Sequence, residues 1–391
     1  MSELAIIRDG ALLAENGRVT HVGTEKELRN RIGPDWEVVD AGGRAVLPGF
    51  VDAHTHLVFA GSRVDEFERR SRGETYQQIA AGGGGILSTV ASTRAASEAE
   101  LLEQGRRHLD WMMRCGTTAA EAKSGYGLSL ESELRILRTI RALHAAGPVR
   151  LAATFLGAHG TPPEFAGRTE DYAAHLVEAM LPAVVAEKLA VYADVFCEPR
   201  YFTVSQSRKI MLAARRLGLG LRLHADQLSS SGGAQLAAEL GAVTADHLEL
   251  VDAGGIAALA GAGVQPVLLP GSVYALGLAH YPPARAMIDA GLAVVLATDF
   301  NPGSSPTPSI PMVMSLAATH LKMSPAEAIT ATTVNAAQSL GWLGELGTFE
   351  PGKRADFVIH DCADHRELAY YFGLESAAEV FIGGRRCFRR T

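Results

Sequence analysis

The segment Val46-Leu-Pro-Gly-Phe-Val-Asp-Ala-His-Thr-His-Leu-Val-Phe-Ala-Gly-Ser-Arg63 is the part of this sequence that decides the predicted fold. It is an apolar run that opens with a Pro-Gly turn and closes on His54 and His56, a pattern typical of a buried strand. Because side chains alternate along a strand, residues two apart project from the same face. Two neutral imidazoles that project the same way can bind a divalent metal ion. A pair of hydrogen-bonded core histidines is the simpler alternative, and the rest of the chain bears on that choice.

Composition and charge exclude several classes of protein. The chain has 391 residues, of which 47 % are hydrophobic and 20 % charged, which is enough for one large domain and a smaller one. With a formal net charge of −7, nucleic acid and anionic membrane surfaces are not expected as partners, although one local arginine can still hold a small anion. The four cysteines are scattered, and neither an export signal nor a membrane-spanning apolar run is evident. We therefore expect reduced thiols and a cytoplasmic protein.

Both ends of the chain predict short antiparallel strands. Near the N-terminus, Asn16-Gly17 supplies the backbone angles of a tight hairpin turn between two apolar runs. Near the C-terminus, strands are predicted at 355–360 and on either side of a Gly383-Gly384 turn. Neither end has enough strands to bury a face by itself. We therefore expect residues 1–46 and 346–391 to form one small, composite β-sandwich domain.

The middle of the chain repeats a strand–loop–helix pattern. Buried strands are predicted at 46–56, 117–122, 149–159, 192–198, 221–227, 243–249, 264–270 and 293–299. Helical periodicity falls between them, at 98–114, 131–146, 172–187, 205–217 and 233–240, and a Ser-Pro-X-Glu start predicts a further helix over 325–340. Eight such units predict an α/β fold, a (β/α)₈ TIM barrel over residues 47–345, with its chemistry at the carboxyl ends of the strands.

Three further polar residues close later strands of this predicted barrel. His224 ends the fifth, His247 ends the sixth and Asp299 ends the eighth. Together with His54 and His56, His224 and Asp299 would offer a metal ion three nitrogens and one oxygen and leave a position open for water. A bound cation lowers the pKa of such a water from about 15.7 towards 7. We expect His247 to polarise a substrate carbonyl or orient the nucleophile, and Asp299 to move a proton to a leaving nitrogen as well as bind metal.

At these residues the chain resembles the amidohydrolase superfamily and, within it, the imidazolonepropionase family. The likeness covers nearly the whole chain. It rests on the 46–63 segment with Arg63, on Gly82-Gly-Gly-Gly-Ile-Leu-Ser-Thr-Val90, and on Lys123-Ser-Gly-Tyr-Gly, Phe155-Leu-Gly-Ala-His, His224-Ala-Asp-Gln-Leu and Thr298-Asp-Phe-Asn-Pro-Gly-Ser.

This resemblance implies a metal-dependent hydrolase of histidine catabolism, a cyclic-amide C–N hydrolase with one Zn²⁺ or Fe³⁺ per chain, and a homodimer. The implied reaction opens the ring of 4-imidazolone-5-propanoate with water and gives N-formimino-L-glutamate. Arg63 can hold the propionate by a two-pronged, charge-assisted bond, and the matching family position is a substrate contact. Residue-by-residue matching implies that the other substrate contacts are Tyr126, His159, Gln227, Asn301, Gly303 and Ser304.

Alternatives remain open at the level of the sequence. Another cyclic-amide hydrolase or an aminopurine-type deaminase could use the same barrel, because metal ligands fix the reaction type better than the substrate. Arg63, Tyr126 and His159 argue against a purine, which has no carboxylate to bind. A non-catalytic scaffold is disfavoured because every candidate metal ligand is intact. Glu198 ends the fourth predicted strand, where two-metal relatives bridge their ions, but no lysine accompanies it there, so we expect a single metal ion and a structural role for Glu198.

Overall fold

The computed structural model describes residues 1–75, 78–79 and 82–391. Its strands, in chain order, are β1 Gly10–Glu15, β2 Arg18–Thr24, β3 Val46–Pro48, β4 Phe50–Asp52, β5 Thr117–Lys123, β6 Arg150–Ala158, β7 Tyr192–Cys197, β8 Gly220–Ala225, β9 Thr244–His247, β10 Gln265–Leu268, β11 Val295–Leu296, β12 Phe357–His360, β13 Ala377–Ile382 and β14 Arg385–Arg389. Strands β4 to β11 form one eight-stranded sheet in sequential order, and every pair in it is parallel.

Hydrogen bonds join the first and last strands of this sheet at their carboxyl ends. The amide of Asp299 donates to the carbonyl of His54 at 3.0 Å, and the amide of His56 donates to the carbonyl of Phe300 at 2.9 Å. The buried carboxylate of Asp52 accepts from the amide of Thr298 at 3.0 Å and from its hydroxyl at 2.6 Å. The sheet is therefore a nearly closed barrel, and the predicted (β/α)₈ fold is confirmed.

Helices alternate with the barrel strands and cover them. In the described part of the chain they are α1 Glu25–Leu28, α2 Val64–Ser71, α3 Ile86–Ala95, α4 Glu98–Arg114, α5 Leu130–Ala146, α6 Thr169–His175, α7 Leu181–Ala186, α8 Val204–Arg216, α9 Gly233–Glu239, α10 Ala253–Ala262, α11 Pro270–Leu276, α12 Ala284–Asp289, α13 Ile310–His320, α14 Pro325–Thr332, α15 Val334–Ser339 and α16 Glu367–Tyr370. Capping boxes at Ser97 and Ser324 begin α4 and α14 where the sequence predicts them. None of the described helices is both long and apolar enough to cross a membrane.

Three predicted elements are interrupted in the structure, and one of them, the helix predicted over 172–187, passes through a π-helical turn at Leu176–Met180 between α6 and α7. The strand predicted over 46–56 divides at Gly49: β3 joins an antiparallel sheet, and only β4 belongs to the barrel. A Cβ on Gly49 would lie 2.1 Å from the side-chain oxygen of Thr118, so the chain turns where no side chain fits. The helix predicted over 325–340 divides at Thr333, whose φ of −122° and ψ of −82° are not helical.

The remaining strands are antiparallel and come from both chain ends. The β1–β2 hairpin turns at Asn16 and Gly17, both with positive φ. A four-stranded sheet has the order β14-β13-β12-β3, so it combines a strand from before the barrel with three from after it. The amide of Ala355 donates to the carbonyl of Gly17, which joins the hairpin to the C-terminal part. The two chain ends meet as predicted, and the division into residues 1–46 with 346–391 and 47–345 stays a prediction.

Candidate active site at the carboxyl end of the barrel

The two histidines after β4 and the aspartate after β11 lie side by side. Nε2 of His54 and Nε2 of His56 are each 3.5 Å from the same oxygen, Oδ1 of Asp299. All three side chains are buried. Asp299 has a φ of 52°, an unusual value for a residue other than glycine. Backbone of this kind is held only where its surroundings determine it, and such residues cluster at functional sites.

His224 and His247, at the ends of β8 and β9, complete the cluster. The ring of His224 lies 4.6 Å from that of His54 and 5.2 Å from that of His247, measured between ring centroids. In each of three groups of side chains, the potential ligand atoms lie within 4.8 Å of one another. The groups are His54 with His224 and His247, His56 with His159 and His224, and His54 with His56 and Asp299. The four ligands predicted from sequence are therefore close together, with His247 beside them.

The donor atoms of this cluster suit a metal ion. Nε2 of His54 and Nε2 of His224 are buried and make no hydrogen bond with any described residue. A buried polar atom without a partner is costly unless a ligand or ion satisfies it. Burial, with the charge of Lys123 in second place, holds the pKa of His54 well below its usual range, and burial does the same to His56. Both imidazoles are therefore neutral at pH 7, the form that binds zinc or iron.

Buried carboxylates face the other nitrogens of two of these histidines. Oδ2 of Asp246 is 2.6 Å from Nδ1 of His54, and Oδ2 of Asp194 is 3.0 Å from Nδ1 of His224. The ammonium of Lys123 lies 2.8 Å from Asp194 and 3.7 Å from Asp246. Carboxylates in this position fix the tautomer and ring orientation of a metal-binding histidine. Neither carboxylate is among the residues predicted from the sequence, although an acid inside an otherwise apolar strand such as β7 is a signal that could have indicated Asp194.

His247 and Asp299 have the properties of proton-handling groups. Oε1 of Glu249 is 3.3 Å from Nδ1 of His247. Burial alone would lower the pKa of His247, but the carboxylates of Glu249, Asp299 and Asp246 together outweigh burial and raise that pKa above its usual value. Burial raises the pKa of Asp299 to about 6. A carboxyl group whose pKa lies near neutrality can both accept and donate a proton.

Tyr126 and His159 lie on the side of the cluster that carries His56. The ring of His159 stacks on that of His56 at 5.0 Å with an angle of 18° between the planes, and the ring of Tyr126 is 5.7 Å from that of His56. Nδ1 of His159 lies 3.0 Å from the carbonyl of Gly125. The buried carboxylate of Glu133 accepts from three amides of the 125–128 loop, which fixes the loop that carries Tyr126.

Arg63 and the loop after β11 meet at the rim. Arg63 is buried, and a Cβ added to Gly303 would lie 1.8 Å from its Nη1, so the guanidinium rests directly on that glycine. Oδ1 of Asn301 accepts from the amides of Gly303 and Ser304 at 2.8 Å, and its amide nitrogen donates to the carbonyl of Asp299 at 2.6 Å. The Asn301 side chain thus shapes the loop that approaches Arg63.

Gln227 and Glu198 lie where β8 and β7 end. Gln227 is buried two residues beyond β8. Glu198 accepts from the amide of Leu228 at 2.9 Å and from the hydroxyl of Ser229 at 2.6 Å. The carboxylate of Glu198 therefore holds the segment that follows Gln227, which agrees with a structural role. Lys123 is engaged by buried carboxylates, as described above.

The barrel and a histidine–aspartate cluster at its carboxyl end define a class of metal-binding barrel hydrolases. The model of the amidohydrolase family matches residues 45–387, so the chain belongs to that family. A guanine deaminase from E. coli has the same fold, with a TM-score of 0.74 and 18 % identity over 98 % of this chain and 93 % of that one. An adenosine deaminase from Xanthomonas campestris with bound zinc gives a TM-score of 0.73 and 19 % identity over 97 % and 88 %.

Two relatives narrow the class further. A protein named imidazolonepropionase from Solibacter usitatus is 59 % identical over 100 % of this chain and 94 % of its own length. One of the same name from Symbiobacterium thermophilum is 50 % identical over 98 % of this chain and 91 % of its own. Within the amidohydrolases, the chain belongs to the imidazolonepropionase family.

Proposed function

We propose that this chain hydrolyses 4-imidazolone-5-propanoate to N-formimino-L-glutamate in the degradation of histidine. One observation supports the proposal most directly. This chain is 59 % identical over its full length to an imidazolonepropionase, and its buried Arg63 lies at the same end of the barrel as the histidine cluster. A substrate with one carboxylate and one ring amide needs these two features, a carboxylate partner and a centre that activates water.

We propose that His54, His56, His224 and Asp299 bind one Zn²⁺ or Fe³⁺ per chain. Such an ion, when bound, supplies Lewis acidity and makes water a nucleophile near neutral pH. The two unpartnered, buried Nε2 atoms and the lowered pKa values of His54 and His56 support this set of ligands. Asp246 holds the ring of His54 in the tautomer that leaves Nε2 available, and Asp194 lies beside Nδ1 of His224.

The remaining residues bind the substrate and move its protons. Arg63 holds the propionate, so that the ring carbonyl is presented to His247 and Asp299. In its protonated form, which the neighbouring Glu249 favours, His247 donates to the carbonyl oxygen as negative charge develops there. Asp299 accepts a proton from the attacking water and delivers it to the ring nitrogen as the carbonyl C–N bond breaks. Water adds to the carbonyl carbon and the nitrogen leaves with the proton, so no further reactant is needed.

We propose that Tyr126, His159, Gln227, Asn301, Gly303 and Ser304 complete the substrate pocket. Tyr126 and His159 are close to His56, and Asn301 organises the loop that includes Gly303 and Ser304. In a pocket of this kind an unpaired polar group on the substrate costs binding energy, which favours a ring with matching donors and acceptors.

The test is turnover by metal-replete protein. Purified protein should contain about one zinc or iron per chain by elemental analysis and should consume imidazolone propionate. Chelation should abolish turnover, and addition of the same metal should restore it. In His56→Ala both metal content and rate should be lost, whereas Arg63→Ala should weaken substrate binding with metal content unchanged. Metal-replete protein that deaminates an aminopurine and leaves imidazolone propionate untouched would contradict the proposal.

We further propose a cytoplasmic homodimer. The four cysteines are all free thiols, which fits a reducing compartment, and the dimer is what the family resemblance implies. Light scattering on the purified protein measures its mass against the 41.4 kDa of one chain. A mass of a single chain at working concentration would contradict the dimer.

A further inference from the structure

A buried carboxylate lies against Arg63 in a way that the proposed reaction does not use. Arg63 immediately precedes helix α2, and Glu66 lies in the first turn of that helix. Nη2 of Arg63 donates to Oε2 of Glu66 at 2.6 Å, and only 4 % and 8 % of the two side chains are exposed. A pair this far from water costs desolvation energy that surface ion pairs avoid. Its presence at the rim of the site therefore calls for a functional explanation.

The second oxygen of Glu66 reaches a different part of the chain. Oε1 of Glu66 accepts the amide hydrogen of Gly85 at 3.0 Å. Gly85 has a φ of 81° and stands at the start of helix α3. A Cβ added to Gly84 would lie 2.9 Å from the same oxygen, so the backbone of the glycine-rich segment 82–85 packs closely on the carboxylate. Glu66 thus connects Arg63 to this segment through its two oxygens.

The guanidinium is also confined by the loop that follows the last strand of the barrel, β11. Gly303, in the loop after β11, leaves no space between its Cα and Nη1 of Arg63, because even a methyl group there would overlap the guanidinium. Nη2 of Arg63 is therefore hydrogen-bonded to Glu66 in α2, and Nη1 contacts the backbone of Gly303 in the loop after β11. The guanidinium plane has little room to turn.

We propose that Glu66 is a positioning residue that aims Arg63 at the carboxylate of the substrate, an inference that rests on the proposed function. A guanidinium presents its N–H donors as one rigid, planar fork, so a strong bond to one nitrogen fixes the direction of the others. An arginine that is already oriented loses less side-chain entropy when the substrate binds. Glu66 contributes this orientation without touching the substrate or the metal ligands.

The first experiment measures steady-state kinetics of Glu66→Ala. Loss of the oriented arginine should raise KM for imidazolone propionate about 10-fold, the effect of weakening one charge-assisted hydrogen bond. The value of kcat should stay within about 3-fold, because the effect is on binding at a distance from the reacting carbonyl. Glu68→Ala is the matched control: Glu68 lies on the same helix and pairs with Arg72, but both side chains are exposed, so its KM should equal that of the wild type.

The second experiment places both variants in an Arg63→Ala background. If Glu66 acts through Arg63, removal of Glu66 should not raise KM further in that background, and the double-mutant cycle should show coupling between the two sites. An unchanged KM in Glu66→Ala, or the same rise with and without Arg63, would overturn the proposal. If Glu66→Ala does not fold, Glu66→Gln replaces it in the test. The glutamine oxygen can still accept from the amide of Gly85, whereas its NH₂ group faces the donor Nη2 of Arg63 and cannot accept from it. Wild-type protein without turnover would refute the proposed function instead.

Discussion

Replacing Gly303 by alanine tests whether the position of Arg63 sets substrate affinity. The added Cβ would lie 1.8 Å from Nη1 and 2.5 Å from Cζ of the guanidinium. Non-bonded atoms rest about 3.5–4 Å apart, so the guanidinium has to retreat by about 2 Å. The φ of Gly303 is one that alanine adopts, so the effect is steric. A misplaced charge-assisted bond costs about 1.5–3 kcal/mol, which corresponds to a rise in KM of about 10- to 100-fold.

The assay compares kcat and KM for imidazolone propionate, with metal content measured on the same samples. Gly344→Ala is the control, because Gly344 also has an ordinary φ and nothing lies within 4 Å of the Cβ it would gain. In Gly303→Ala, KM should rise while the metal content stays at the wild-type value. A KM equal to that of the Gly344 variant would show that Arg63 can move without loss of affinity and would refute the reasoning.

Three further predictions concern the metal site, barrel closure and acid sensitivity. Asp246→Asn removes the carboxylate 2.6 Å from His54, so metal affinity, measured by competition with a chelator, should fall about 10- to 100-fold. Thr298→Val leaves Oδ2 of buried Asp52 without the hydroxyl that donates at 2.6 Å, and the free energy of unfolding in urea should fall by about 1–3 kcal/mol. Burial lowers the pKa of His360 to about 3, whereas in the unfolded chain it takes up a proton near pH 6.5, so this residue favours unfolding increasingly as the pH falls below about 6.5. Between pH 7.5 and 5 the wild type should therefore lose about 2 kcal/mol more stability than His360→Asn does, and equal losses would contradict this assignment.

The elements with strong local signals were predictable from the sequence. Helix α4 has the bounds that the sequence predicts, because Ser97 and Glu100 cap its start reciprocally. The hairpin at Asn16-Gly17 and the strands around Gly383-Gly384 follow from turn chemistry alone. Strand and helix alternation in the middle of the chain was enough to predict the barrel.

Elements decided by long-range contacts were not predictable. Periodicity predicts one strand over 46–56, and although Pro48-Gly49 indicates a turn, nothing local indicates that β3 joins a different sheet from β4. The helix over 325–340 has no proline at the point where Thr333 breaks it, so its interruption depends on packing rather than on a local signal.

The candidate site shows the same division. His54, His56 and Asp299 stand at the ends of apolar runs, where function collects in a barrel, and could be named from the sequence. Asp194 could be noticed as an acid inside an apolar strand, but neither Asp194 nor Asp246 could be paired with a histidine, because the ring that each carboxylate faces depends on how the sheet curves. The contact of Arg63 with Gly303 joins the loops after the first and last strands of the barrel, which are far apart in the chain, so periodicity cannot predict it.

The joining of β4 to the end of β11 has a consequence for the way a newly made chain matures. The two imidazoles after β4 leave the ribosome early, whereas the aspartate that completes the proposed set of ligands leaves it only when most of the polypeptide has been translated. A growing chain therefore has an incomplete set of the proposed metal ligands. The full set of proposed ligands can come together only once residue 299 has emerged and β11 has closed the barrel against β4.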